Sequence, residues 1–189
     1  MLKCCSVVKG GLRAHLVPKV AHSAIAYAIG EKQIGQRVEP DQPSDDTRLM
    51  VVRHPLERIV SAYTFFCKER LYAPFNEGMA NLGYKRDMLF NEFLDHLLVH
   101  YDENVHTKKQ ADFTGGNHID ILIPIDKLND AWPRIAAKYN LDSLKEVQAN
   151  KSNHSGWEEY YTTEQRERAE QVFKEDIELY NLAKEKYNG

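Results

Sequence analysis

The sequence predicts an α/β fold in which helices flank a small parallel sheet. Two short strand candidates, Arg13 to Val17 and Leu49 to Val52, are each followed by a tight turn and then by residues at helical spacing. A third strand candidate, His118 to Pro124, is again followed by a helical pattern, Asp126 to Tyr139. Alternation of strand and helix is typical of parallel sheets, because their strands are joined by crossover helices.

The first strand ends in a turn that carries one cation and one hydroxyl. Pro18 closes the strand, Lys19 follows it, and Ser23 is a plausible N-cap for an alanine-rich helix, Ser23 to Ile29, that ends at Gly30. A helix N-terminus beside a lysine favours an anion. A solvated lysine and a capping serine would explain the same residues without any ligand.

The second strand leads into a helix that begins near Pro55, a residue suited to the first helical turn. Arg53 stands at the strand end, and His54, Arg58 and Ser61 lie opposite the apolar stripe of the helix. An arginine fork, a hydroxyl and a helix N-terminus together favour a phosphate-like anion. The alternative is a surface arginine beside a solvated serine.

The two turns are expected to meet. Parallel strands present their carboxyl ends at the same edge of a sheet, where ligands bind, so Lys19 and Arg53 can face one anion. The chain has no G-x-x-x-x-G-K-[ST] motif, which argues against the ordinary nucleotide-triphosphate loop.

Composition predicts one globular domain over residues 1–189, with 42% hydrophobic and 28% charged residues. A net charge of −3 predicts no general affinity for nucleic acid, which leaves a small ligand held by a local cluster. Three cysteines make no disulfide framework and indicate a reducing compartment. No signal peptide or membrane segment is recognisable, so the expected location is cytoplasmic.

The rest of the chain supplies core helices and two polar loops. Leu89 to Leu98 predicts a packed helix, and Trp132 is expected to anchor the helix after the third strand. Two polar loops follow these helices: residues 101–117 carry His106 and Gln110, and Asn150 to Gly156 carries Lys151 and Ser152, which could reach a phosphate.

The last helix is expected to start at Thr162 or Thr163, because Thr162 and Gln165 have capping-box spacing. Its inward stripe comprises Ala169, Val172, Phe173, Asp176, Ile177 and Tyr180.

Five segments, in order, resemble the sulfotransferase family. PKVAHSAI resembles its 5′-phosphosulfate loop and VRHPLERIVSAY its 3′-phosphate motif, particularly in the Golgi carbohydrate sulfotransferase branch. Three later segments also resemble that branch: HTKKQADF, DILIPIDKLNDAW and NKSNHSGWEEYYTTEQRERAEQVFKEDIELY. The resemblance runs from about Pro18 to Tyr180. Departures are His22 in place of a small residue or cysteine, Ser23 in place of threonine, and His54 in place of an acidic residue.

The resemblance implies the sulfotransferase variant of the P-loop nucleoside-kinase fold. It also implies 3′-phosphoadenosine 5′-phosphosulfate (PAPS) as donor and adenosine 3′,5′-bisphosphate (PAP) as product, with no metal. The acceptor would be a hydroxyl, first of all on a carbohydrate. Arg53 and Ser61 would hold the 3′-phosphate. The 5′-phosphosulfate would lie against Pro18, Lys19, Val20, Ala21, His22, Ser23 and Ala24, with Lys19 on the oxygens that gain charge.

The general base is the least determined residue. His106 is the first candidate, because it matches the family's segment in which a histidine precedes Gln110 by four residues. His22, inside the phosphosulfate loop, is the second, and Glu39 or Asp41 could replace both. Two other functions stay open at this point: a kinase-like phosphotransferase of the same architecture, and a nucleotide-binding module without catalysis.

Overall fold

A computed structural model describes residues 5–30, 44–70, 80–144 and 156–188. Four strands, in the order β1-β2-β3-β4, form one sheet. They are β1 (Cys5–Lys9), β2 (Leu12–Leu16), β3 (Thr47–Val52) and β4 (Ile121–Pro124). Strands β2, β3 and β4 are parallel, with Leu49 of β3 opposite Ala14 on one side and Ile121 on the other. The predicted α/β class with a parallel sheet is confirmed.

Strand β1 was not predicted, and it pairs antiparallel with β2 at the sheet edge. Gly10 and Gly11 connect the two strands with φ angles of 58° and 80°. Consecutive positive φ values suit a two-residue hairpin, and glycine adopts them without a steric penalty from Cβ. The sheet is therefore mixed, with one antiparallel edge strand.

Six α-helices can be described in these residues. They are α1 (His22–Ile29), α2 (Pro55–Tyr63), α3 (Phe90–His100), α4 (Leu128–Tyr139), α5 (Thr163–Val172) and α6 (Lys174–Asn188). A π-helical segment, Thr64–Arg70, continues α2 directly, and short 3₁₀ turns span Ala111–Thr114, Ile125–Lys127 and Trp157–Tyr160. No helix in the described part of the chain is both long and apolar enough for a membrane crossing.

Two apolar clusters hold these elements together. One packs β-strand residues against α1 and α4, and includes Trp132, which is 2% exposed. The Trp132 indole donates to the carbonyl of Asp142 at 3.0 Å, so its predicted anchoring role is confirmed. The other cluster packs α2 and the π-helical segment against α3 and α5, around the buried rings of Phe66 and Phe93.

Helix α5 starts where the capping box predicts. Gln165 N donates to Thr162 Oγ1 at 3.2 Å, and Thr162 N donates to Gln165 Oε1 at 2.9 Å. The single long helix expected after it is instead two helices, because the chain turns at Phe173, whose ring is 1% exposed in the core.

Candidate active site

The turn after β2 has the backbone of an anion cradle. Lys19 and Ala21 both have positive φ, 67° and 49°, and Val20 between them does not. Non-glycine residues in this region cost about 1–3 kcal/mol each and occur at functional sites. Alternating conformations of this kind point successive N–H groups to one side, which forms a concavity for anions.

Helix α1 begins at His22, with Ala21 as its N-cap. Ser23 therefore lies within the first turn, and its predicted role as N-cap is wrong. No side chain caps this end, and the first turn contains no acidic residue. A helix N-terminus without a side-chain cap or an acidic first turn suits an anionic ligand.

Lys19, in the turn after β2, contacts both Phe65 and Arg53. Its Nζ is 3.9 Å from the centroid of the Phe65 ring, in the π-helical segment. Its carbonyl accepts a hydrogen bond from Arg53 Nη1 at 3.4 Å. The turns after β2 and β3 therefore touch, as the parallel arrangement predicts.

Arg53 also pairs with the first turn of α2. Its Nη2 donates to Glu57 Oε1 at 2.8 Å, and both side chains are largely shielded from water. The Arg53 Nε is buried and has no partner within the described residues. Ser61 lies one turn beyond Glu57 on the same face of α2 and is 4% exposed. Both residues that the sequence assigned to a phosphate thus face the protein, and the alternative of a solvated serine is wrong.

Arg58 is a site residue to which the sequence analysis gave no role. It is 2% exposed, and its Nε donates to the carbonyl of Pro18 at 3.1 Å while Nη1 donates to that of Lys108 at 2.8 Å. One buried guanidinium therefore joins the turn after β2 to the segment that carries His106. The helical spacing that places Arg58 three residues before Ser61 was the signal for it.

His106 lies inside the site. Its ring centroid is 5.2 Å from that of Phe66 and 6.3 Å from that of Phe65. Burial, aided by the positive charges of Lys19 and Arg58 and by His22, lowers the pKa of His106 to about 3. Its Nδ1 is buried without a partner in the described segments. At neutral pH the imidazole is uncharged and retains a lone pair that can accept a proton.

His54, the residue after Arg53, belongs to a cluster of aromatic rings. His54 stacks on Trp157 with ring centroids 4.6 Å apart and meets the edge of Tyr180 at 5.4 Å. Burial lowers the pKa of His54. His54, which the sequence placed on the polar face of α2, therefore packs α2 against the 3₁₀ turn Trp157–Tyr160.

Four candidates lie outside the described residues: Lys151, Ser152, Glu39 and Asp41. Within the described segments, no group of three or more His, Cys, Asp or Glu side chains could hold a metal ion.

A family model described as the sulfotransferase family matches residues 17–183. The chain therefore belongs to the sulfotransferase family, as its motifs predict. The matched region contains both strand-end turns, Arg58 and His106. No curated protein and no solved structure matches the chain significantly.

The pKa of His106 predicts acid sensitivity. Between pH 6.5 and about 3 the unfolded chain binds a proton that the folded histidine excludes, so stability should fall as the pH is lowered through this window. His106→Asn removes this proton uptake, and urea unfolding of this variant should therefore show a smaller loss of stability over the same range.

The comparison is between slopes against pH, so a different starting stability of the variant does not affect it. His118→Asn, which alters an exposed histidine, serves as control and should keep the slope of the parent. Equal slopes for His106→Asn and the parent would contradict the burial of a neutral His106.

Proposed function

We propose that this chain transfers a sulfuryl group from PAPS to a hydroxyl group of an acceptor, and that residues 1–189 form one domain for this purpose. Membership of the sulfotransferase family supports sulfuryl transfer in general. One observation supports PAPS as the donor: Arg53, at the end of β3, donates to the carbonyl of Lys19, in the turn after β2. This contact gathers cationic groups on a helix N-terminus, which suits a nucleotide with anionic groups at two positions.

The 5′-phosphosulfate occupies the turn after β2. Backbone N–H groups of residues 21–24 cradle its oxygens, with Pro18 and Val20 fixing the turn and Ser23 adding a hydroxyl. Lys19 lies on the oxygens between phosphorus and sulfur. His22 stands at the first helical position, beside the same oxygens.

The 3′-phosphate is held by Arg53 and Ser61. The buried Nε of Arg53, which has no partner among the described residues, supports this assignment because a phosphate can supply the missing acceptor. Lys151 and Ser152 are proposed as further phosphate contacts. ADP and ATP lack this 3′-phosphate, so the site selects the sulfate donor.

The reaction needs little covalent work from the protein. The acceptor oxygen attacks sulfur, the bond between sulfur and the 5′-phosphate oxygen breaks, and PAP leaves with the electron pair. Lys19 stabilises the negative charge that grows on the leaving phosphate. Positioning and electrostatics therefore supply most of the rate enhancement, as in phosphoryl transfer.

His106 accepts the proton of the acceptor hydroxyl. Burial and the cations around it lower its pKa to about 3. A bound donor brings anionic charge next to Lys19 and Arg58, which offsets these cations and raises the pKa of His106 toward the range of a useful base. His22 is the second candidate, and Glu39 or Asp41 the third.

A carbohydrate is the proposed acceptor class. The order of motifs, which resembles the Golgi carbohydrate branch, supports it. The net charge of −3 gives no reason to expect a nucleic acid.

The proposal is tested by transfer of labelled sulfate from PAPS to a panel of saccharides and other hydroxyl compounds, with γ-labelled ATP as competing donor. We expect label in a saccharide from PAPS only.

Lys19→Ala should lower kcat on the order of 10²-fold or more, with a smaller effect on donor affinity, because charge grows in the transition state. Lys138→Ala, on the exposed surface of α4, should match the parent.

Transfer from ATP but not from PAPS would show a phosphotransferase instead. Donor binding with no transfer to any acceptor would show a binding module. If Lys19→Ala keeps the kcat of the parent and loses only donor affinity, Lys19 binds the donor and does not stabilise the transition state.

The role of His106 is tested by His106→Ala with an acceptor that supports turnover. We expect turnover to fall on the order of 10²–10⁴-fold, while PAP affinity is preserved, because a general base acts on the acceptor and not on the donor. His118→Ala, a change at an exposed site, controls for loss of a histidine in general. Turnover near that of the parent would exclude His106 as the base and move the search to His22.

A further inference from the structure

Arg53 leaves β3 where the sheet no longer supplies partners for its backbone. Pairing of β3 with β2 ends at Met50, and pairing with β4 ends at Val52. One side-chain amide takes over: Gln110 Oε1 accepts from Arg53 N at 3.0 Å, and Gln110 Nε2 donates to Arg53 O at 2.8 Å. Both polar groups of the Arg53 backbone are therefore held by Gln110, which is fully buried.

Gln110 is held in turn by a carboxylate from a distant part of the chain. Asp176, on α6, accepts from Gln110 N at 2.8 Å and from Ala111 N at 2.9 Å. Its Oδ2 is also 3.5 Å from Gln110 Nε2, at the limit of a hydrogen bond. Asp176 is 0% exposed. A carboxylate so deeply buried is costly unless it is hydrogen-bonded, and the two backbone N–H donors offset part of that cost.

The chain of contacts ends at the guanidinium of Arg53. The position of the Arg53 backbone sets the direction of its side chain, which reaches the Lys19 carbonyl and Glu57. A rotation of the peptide groups of Arg53 would break both hydrogen bonds to Gln110 and move the guanidinium away from these partners. Asp176 and Gln110 thus connect the C-terminal helix to both strand-end turns.

We propose that Gln110 and Asp176 are positioning residues that hold Arg53 in the direction needed for a 3′-phosphate, and thereby set the preference for nucleotides that carry one. This inference rests on the proposed function and deepens it. Neither residue touches the nucleotide; each acts through Arg53.

A purely structural role predicts a different result from a positioning role. Adenosine 5′-phosphate (AMP) shares the adenosine and the 5′-phosphate of PAP but lacks the 3′-phosphate. Loss of the fold weakens binding of both nucleotides alike. Loss of Arg53 positioning weakens binding of PAP and leaves AMP unchanged, so the ratio of the two affinities is the informative quantity.

The test is calorimetric titration of PAP and AMP into the parent, Gln110→Met and Asp176→Asn. Gln110→Met keeps the length of the side chain without its amide, and Asp176→Asn keeps its size. We expect each to lower PAP affinity by about 10-fold, the scale of one lost charge-assisted hydrogen bond, and to change AMP affinity by less than about 2-fold.

Two further variants sharpen the assignment. In an Arg53→Ala background, Gln110→Met should cause no additional loss of PAP affinity, because the residue it positions is absent. Gln165→Met removes a hydrogen-bonded glutamine from the capping box of α5. It serves as the matched control and should keep the PAP to AMP ratio of the parent.

The outcomes separate the two proposals. A parent that binds PAP no more tightly than AMP would overturn 3′-phosphate recognition, and with it the proposed donor. A parent that prefers PAP, together with a Gln110→Met variant of unchanged ratio, would overturn the positioning role alone. Where Gln110→Met fails to fold, Asp176→Asn is judged by the same criterion.

Discussion

The structure depends on one buried positive charge, the guanidinium of Arg58 at the carboxyl ends of the parallel strands. With 2% of its surface exposed, Arg58 needs acceptors from the protein, and it finds them in the carbonyls of Pro18 and Lys108. Asp176 lies near enough for Arg58 to lower its pKa, against the stronger effect of burial, which raises it. This buried charge therefore holds three segments together: α2, which carries it, the turn after β2 and the segment of Lys108.

The charge state of His106 depends on this packing. Arg58 joins the segment of His106 to the turn that carries Lys19. Burial, aided by both cations, lowers the pKa of His106 and keeps its imidazole neutral. The Lys19 ammonium lies over the Phe65 ring, and the Arg53 guanidinium donates a hydrogen bond to the Lys19 carbonyl. A cationic site with a strained turn after β2 and an uncapped helix is already organised, which lowers the reorganisation needed to bind an anion.

The sequence predicted the elements that depend on local pattern. Strand, turn and helix could be assigned at Lys19 and at Arg53, and the capping box at Thr162, because each depends on residues close together in the chain. The break at Phe173 could not, because the apolar stripe of the C-terminal helices continues across it. Strand β1 was missed, although Val7, Val8 and the hairpin-forming pair Gly10 and Gly11 were local signals for it.

The burial and the contacts of the site residues depend on long-range packing, which the sequence does not show. Helical spacing gives the direction of Arg58 and Ser61 around α2 but not their depth, which is set by elements far away in the chain. Gln110 and Asp176 are 66 residues apart, and nothing local to either indicates that they meet. Buried polar contacts of this kind are determined by the tertiary structure alone.

The most direct test of the central claim, that both strand-end turns form one site for a 3′-phosphorylated nucleotide, is calorimetric binding of PAP compared with ADP. Both ligands carry adenosine and two phosphates, and they differ in whether one phosphate occupies the 3′ position. We expect clearly tighter binding of PAP than of ADP. Equal affinity for the two ligands, or no binding of PAP, would contradict it.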